Sequence, residues 1–121
     1  MTTVMTRLVK KNLRSPDEIR TLPKTRLEIF RLGEYTLMRA TFEPGWKWSE
    51  CIGPKAGTQW CEQPHLGYVL QGRCEVLMRD GTRQILEPGD FAELPSGHDG
   101  WVLGNEPFMF LDFVGGESYG K

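Results

Sequence analysis

The chain is cut into short apolar runs by turns, and this limits what it can fold into. From about residue 25 onward, stretches rich in β-branched, aromatic and aliphatic residues are interrupted roughly every eight to twelve residues by Gly or Pro. RLEIFRL (26–32) is followed by YTLMRATF (35–42), which Glu43-Pro44-Gly45 stops. HLGYVLQG (65–72) runs into RCEVLMR (73–79), and the hairpin signal Asp80-Gly81 sends the chain back through TRQIL (82–86). A turn at Glu87-Pro88-Gly89-Asp90 precedes FAEL (91–94), and Pro95-Ser96-Gly97 separates this from WVL (101–103) and PFMFLDF (107–113). No helix of ordinary length fits between such breaks, so the spacing predicts an all-β sandwich or barrel. One short helix is expected near the N-terminus. Ser15 suits a cap, Pro16 suits the first helical position, Asp17 and Glu18 suit the positive helix end, and Pro23 terminates it.

A length of 121 residues fits one domain. Such a chain buries roughly two-thirds of its unfolded surface, enough for a core without staples. We expect an N-terminal segment with the short helix over 1–25 and the barrel over 26–121. The net charge of −1 gives no electrostatic footprint for nucleic acid or an anionic membrane, so neither is expected as a partner. The three cysteines cannot all pair within one chain. The stretch MTTVMTRLVKKNLR has no apolar signal-peptide region, and no run approaches the length of a membrane span. Together these features predict reduced thiols in a cytoplasmic protein. There is no internal repeat of solenoid length.

The order Pro44-Gly45, HLGYVLQGR, the Asp-Gly hairpin and EPGDFAELPSG resembles the cupins. These are small double-stranded β-helix, or jelly-roll, domains whose motifs are usually written G(X)5HXH(X)3–4E(X)6G and G(X)5PXG(X)2H(X)3N. The likeness covers roughly residues 40 to 114. Gly89, five residues, then Pro95-Ser96-Gly97 fits the second motif. Counted from Gly45, the first family histidine falls on Cys51 and the second on Gly53. Counted back from Gly72, the family glutamate falls on His65. Eleven residues, PKAGTQWCEQP, lie between Gly53 and His65 where the family has three or four, and they carry Cys61. The histidine position of the second motif is Gly100, with His98 two residues earlier, and Asn105 lies one residue past the family asparagine. The usual three-histidine, one-glutamate set is absent.

Through that resemblance, Cys51, Cys61, His65 and His98 fall near one mouth of the barrel. Two thiolates and two imidazoles form a donor set that favours tetrahedral zinc, with iron, nickel or copper as other divalent candidates. Without Cys51, the remaining three leave a position open to water, the pattern of a catalytic zinc. Glu50, Glu62 and Asp99 are expected as second acceptors or proton carriers. Cys74 alternates with Val76 and Met78 and reads as barrel wall. Trp48, Trp60, Tyr68 and Trp101 are expected to form an aromatic pocket for a small organic ligand, with Trp46 and Phe91 nearby. Large aromatics that fill the barrel end are the competing reading.

Cys61 and His65 also carry the spacing of a thiolate–imidazole pair, although Pro64 interrupts the strand between them. Gly115-Gly116 reads as a tail, not a phosphate loop. Two functions stand. One is a metal-dependent enzyme of oxygenase, isomerase, decarboxylase or lyase type, which the resemblance implies. The other is a non-catalytic module that binds a small molecule or senses metal or oxidant. The apolar edges expected of the N-terminal strands and of PFMFLDF suggest a homodimer.

Overall fold

The computed structural model describes residues 7–121, so the first six residues of the N-terminal stretch lie outside it. Nine strands and two one-turn helices follow in order. They are β1 (Glu18–Leu22), β2 (Thr25–Leu32), β3 (Tyr35–Phe42), α1 (Trp48–Cys51), α2 (Gly53–Ala56), β4 (His65–Gln71), β5 (Arg73–Met78), β6 (Arg83–Leu86), β7 (Phe91–Leu94), β8 (His98–Leu103) and β9 (Phe108–Asp112). All pair antiparallel, in a six-stranded sheet of order β1-β2-β3-β9-β4-β7 and a three-stranded sheet of order β6-β5-β8. This is the jelly roll that the turn spacing and the resemblance predict. Among the described residues no helix is long and apolar enough to cross a membrane.

The expected N-terminal helix is a strand. Ile19 pairs with Glu28 and Leu22 with Thr25 along β2. The Asp17 carboxylate accepts from the Arg31 amide at 2.7 Å instead of capping a helix. A helix confined between Pro16 and Pro23 has barely two turns to offset a costly nucleus, whereas a strand there completes a ladder. Alternation along β1 turns Arg20 inward, where it is 8% exposed. Its guanidinium donates to the carbonyls of Gly116 (2.8 Å), Tyr119 (2.7 Å) and Glu117 (3.2 Å). The segment after β9 is therefore no free tail, because it is fastened back onto β1. The run PFMFLDF is not an edge either, since β9 lies between β3 and β4. β1 does form an edge.

The space between the sheets is filled by one apolar cluster that includes Leu27, Ile29, Met38, Phe42, Trp46, Val69 and Phe110. Phe42 and Trp46 stack with centroids 3.8 Å apart, and the Trp46 indole N–H donates to Thr25 Oγ1 at 2.9 Å. Two glycines show how differently the backbone uses that residue. Gly72, between β4 and β5, has φ +76°, and a Cβ there would sit 2.2 Å from the Pro107 carbonyl oxygen. Gly81, in the β5–β6 hairpin, has φ +93° and open space where a Cβ would go. Gly81→Ala is therefore expected to cost only the backbone strain, about 1–2 kcal/mol. Gly72→Ala adds a clash with backbone and is expected to cost roughly 3–4 kcal/mol or more. Urea unfolding of the two variants against wild type measures both.

Candidate metal centre

Two segments that are remote in sequence, one carrying Cys61 and His65 and the other His98, meet at one end of the barrel. Cys61 lies in the connection between α2 and β4 and is tied to the start of β8 by backbone pairing. Its amide donates to the His98 carbonyl at 2.7 Å, and its carbonyl accepts from Gly97 (2.8 Å) and His98 (3.2 Å). His98 opens β8 and His65 opens β4, opposite Leu94 of β7. Strand alternation turns both imidazoles inward. The donor atoms of Cys61, His65 and His98 lie within 4.8 Å of one another, and all three residues are buried. With Zn–S near 2.3 Å and Zn–N near 2.0–2.1 Å, tetrahedral geometry sets donor atoms roughly 3.3–3.6 Å apart. The Cys61 Sγ to His65 Nε2 distance of 3.8 Å is close to that.

Hydrogen bonds fix which ring nitrogens are free. His98 Nδ1 lies 2.9 Å from the Pro95 carbonyl, which can only accept, so Nδ1 carries the proton and Nε2 keeps its lone pair. His65 Nδ1 donates to Asp112 Oδ2, again leaving Nε2 as the free donor atom. Asp112 ends β9 and is 0% exposed. Its other oxygen accepts from the amides of Val114 (2.9 Å) and Gly115 (3.0 Å). Burial alone would raise the Asp112 pKa. The hydrogen bond from His65 and the two amides outweigh it and hold the carboxyl below its ordinary value. An ionised carboxylate behind an imidazole is the arrangement that orients histidine ligands.

The electrostatics favour a cation and disfavour the bare thiolate–imidazole pair. Burial pushes the Cys61 thiol up to about 12, and the Glu62, Asp112 and Asp99 charges push the same way. Without a cation, Cys61 is a neutral thiol at neutral pH and a poor nucleophile. Burial pushes His98 down to about 4, so its imidazole is neutral and able to ligate. A divalent ion would be balanced by the Cys61 thiolate and the Asp112 carboxylate, leaving no net buried charge.

Other expected residues sit elsewhere. Cys51, the expected fourth ligand, is on α1 and packs into the apolar core outside the group. The turn of α1 is what removes it from the barrel mouth. Glu50 is exposed, and Glu62 pairs with Arg79 at the surface. Asp99 is buried, but its carboxylate accepts from the amides of Ser49 (3.1 Å) and Gly100 (2.8 Å), so it anchors α1. Trp48 is buried and lines the cavity beside the Cys/His group. Trp60, Tyr68 and Trp101 do not line it. On β4 the residues 65, 67 and 69 face in, so Tyr68 faces out and is 40% exposed. On β8 the residues 98, 100 and 102 are buried, and Trp101 turns outward to Lys47 and Arg83, whose charges lie 5.5 and 5.7 Å from its ring. Trp60 is half-buried in the connection before β4.

The cavity has about 50 Å³ of room for the centres of water-sized molecules, and Phe42, Trp46, Phe108, Phe110 and Tyr119 help to line it. Asp112 and Tyr119 were not foreseen in the sequence. Asp112 left a trace, since it occupies an inward position in an otherwise apolar strand. Tyr119, whose ring stands edge-on to His65 at 4.8 Å, left none.

A family model described as a cupin domain matches residues 48–114, more than half of the chain. The chain belongs to the cupin family. Among curated proteins none matches it in sequence. Solved structures similar to this cupin include the polyketide cyclase RemF from Streptomyces resistomycificus, with 20% identity and a TM-score of 0.63 over 91% of this chain and 81% of that one. KdgF from Halomonas sp. is 22% identical, with a TM-score of 0.58 over 84% and 87% of the two chains. A cupin-like protein from Thermotoga maritima is 15% identical, with a TM-score of 0.57 over 92% and 82%. At such identities the likeness is one of fold.

Because Asp112 fixes the His65 tautomer that leaves Nε2 free, Asp112→Asn is expected to weaken any divalent-metal binding at this group about 10- to 100-fold. Competition against a chromophoric chelator measures this. An unchanged affinity would remove Asp112 from the centre.

Proposed function

We propose that this cupin is a metal-dependent enzyme acting on a small, largely apolar organic molecule, with zinc held by Cys61, His65 and His98. The observation that carries this reading is that two imidazoles, each with Nδ1 committed to a protein acceptor, turn their free Nε2 atoms toward one buried thiol. The donor set of one sulfur and two nitrogens suits zinc better than oxygen-seeking ions, while iron, nickel and copper would also accept it. Three protein donors leave a further position for water or substrate. When bound there, zinc supplies Lewis-acid polarisation of a carbonyl or an activated water, without redox chemistry. Isomerase or lyase-type reactions therefore fit better than oxygenation.

The residues of the chain do the rest. The apolar wall excludes water and shapes the substrate. Asp112 keeps a proton on His65 Nδ1. Tyr119 presents a neutral hydroxyl at the cavity, since burial pushes its pKa well above the ordinary tyrosine value. The polyketide cyclase among the structural neighbours is an enzyme built on the same fold, which supports a catalytic reading.

The departure from the usual three-histidine, one-glutamate set favours a second reading, a binding or sensing module with a zinc-protected thiol. Ligand-induced thermal stabilisation without turnover would mark it. All three cysteines are free and buried, which supports a reducing, cytoplasmic setting. Tyr68 and Phe91 face each other across β4 and β7 and are 40% and 68% exposed, which supports a homodimer through that edge. Sedimentation is expected to show twice the chain mass.

Elemental analysis of purified protein is expected to give about one metal ion per chain, and His65→Ala is expected to lose it while keeping the strand signature in circular dichroism. A stoichiometry near zero, unchanged by added zinc, iron, nickel or copper, overturns the metal reading. Since the Cys61 thiol must shed its proton on ligation, zinc affinity is expected to rise about tenfold per pH unit around neutrality. Zinc titrations at several pH values measure the slope.

A further inference from the structure

Two neighbouring indoles on this chain are treated differently. Trp46 Nε1 donates to Thr25 Oγ1 at 2.9 Å. Trp48, 2% exposed, has a buried Nε1 with no hydrogen-bond partner among the described residues. Beside it stands Tyr119, also buried, at 7% exposure. Burial raises the pKa of its hydroxyl, and the Asp112 charge adds to this. The Trp48 N–H opposes this from nearby without reaching hydrogen-bond geometry. The Tyr119 hydroxyl stands next to this indole, and the Trp48 N–H is the buried side-chain polar atom left unsatisfied among the described residues, where such groups normally have a partner.

Their position in the fold gives the pair a use. Trp48 and Tyr119 line both the barrel cavity and a second, more polar pocket of about 210 Å³ beside α2. Cys61 lines the second pocket, whereas His65 and His98 line the first. The two donors thus stand in the partition between the spaces, at the level of the Cys/His group. Among the described residues no Lys or Arg lines the barrel cavity, and its one carboxylate, Asp112, would repel an anion.

We propose that Trp48 Nε1–H and Tyr119 Oη–H form a two-donor clamp for the oxygen of an uncharged carbonyl compound, such as a ketone, aldehyde or ester, whose aliphatic or aromatic body occupies the barrel. The clamp rests on the proposed use of the cavity as a small-molecule site and does not require the metal. A neutral acceptor satisfies both donors, and an apolar body matches the walls. In the metal-free cavity a carboxylate would meet two neutral donors, no cation and Asp112.

The test compares cyclohexanone with methylenecyclohexane, which replaces C=O by C=CH2 at nearly constant shape. Binding is followed through the indole N–H resonances of ¹⁵N-labelled protein, in metal-free and zinc-loaded forms, with the Trp48 signal assigned from Trp48→Phe. The expected result in the metal-free protein is a downfield shift of the Trp48 signal with cyclohexanone only, and at least about tenfold tighter binding of the ketone. Tyr119→Phe is expected to reduce that preference about fivefold while leaving methylenecyclohexane binding and zinc content unchanged. This variant keeps the test valid if Trp48→Phe does not fold. Equal affinity for the two probes, a preference untouched by Tyr119→Phe, or no saturable binding of the ketone overturns the clamp. One-to-one zinc binding without ketone preference overturns the clamp alone. Ketone preference in a protein that takes up no metal supports the clamp and overturns the metal reading.

Discussion

The buried pair between Asp112 and His65 ties the architecture to the chemistry. A carboxylate with no exposure is tolerable only when its charge is met, and here one oxygen receives the His65 Nδ1 proton and the other two backbone amides. Those contacts join the end of β9, the start of β4 and the turn that follows β9. They also settle the tautomer of His65, and hence the direction in which its lone pair points. The packing of Gly115 against this pair is tight: a Cβ there would lie 2.8 Å from Asp112 Oδ2 and 3.0 Å from His65 Nδ1. The small residue that reads as part of a loose tail is a consequence of the carboxylate beside it.

The strand framework was legible because turns announce themselves chemically. Gly81 and Gly89 sit where positive φ values are needed, and the runs between such turns read as strands. The N-terminal segment misled for the converse reason. Ser15-Pro16-Asp17-Glu18 carries good helix-start chemistry, but a ladder with β2 outcompetes an isolated turn, and local propensity does not know that β2 is there. Cys61, His65 and His98 could be gathered from the sequence because they are chemically conspicuous and the motif skeleton places them near one mouth. Cys51 fell out because the helix carrying it replaces what the motif counting treats as extended chain.

The aromatic residues show the limit of reading by type alone. Trp101 and Tyr68 look as suited to a pocket as Trp48 does, but a strand sends successive side chains to opposite faces, and a one-residue difference in register decides between cavity and solvent. Once β8 is phased by His98 and β4 by His65, the outward positions of Trp101 and Tyr68 follow. Tyr119 could not be phased this way, because it belongs to no strand. Its place depends on the Arg20 guanidinium, 99 residues earlier in sequence, holding its carbonyl.

The central position of β9 governs how the molecule can be assembled. In the large sheet β9 is the sole link between the β1-β2-β3 meander and the β4-β7 pair. A nascent chain that has emerged only as far as β8 therefore carries two incomplete half-sheets, each with an open edge, on β3 and on β4, awaiting the same partner. Unpaired edges of this kind attract foreign strands. During synthesis the vulnerable interval closes only when Phe108–Asp112 slides between them. The same strand carries Asp112 to His65, so closing the sheet also completes that buried pair.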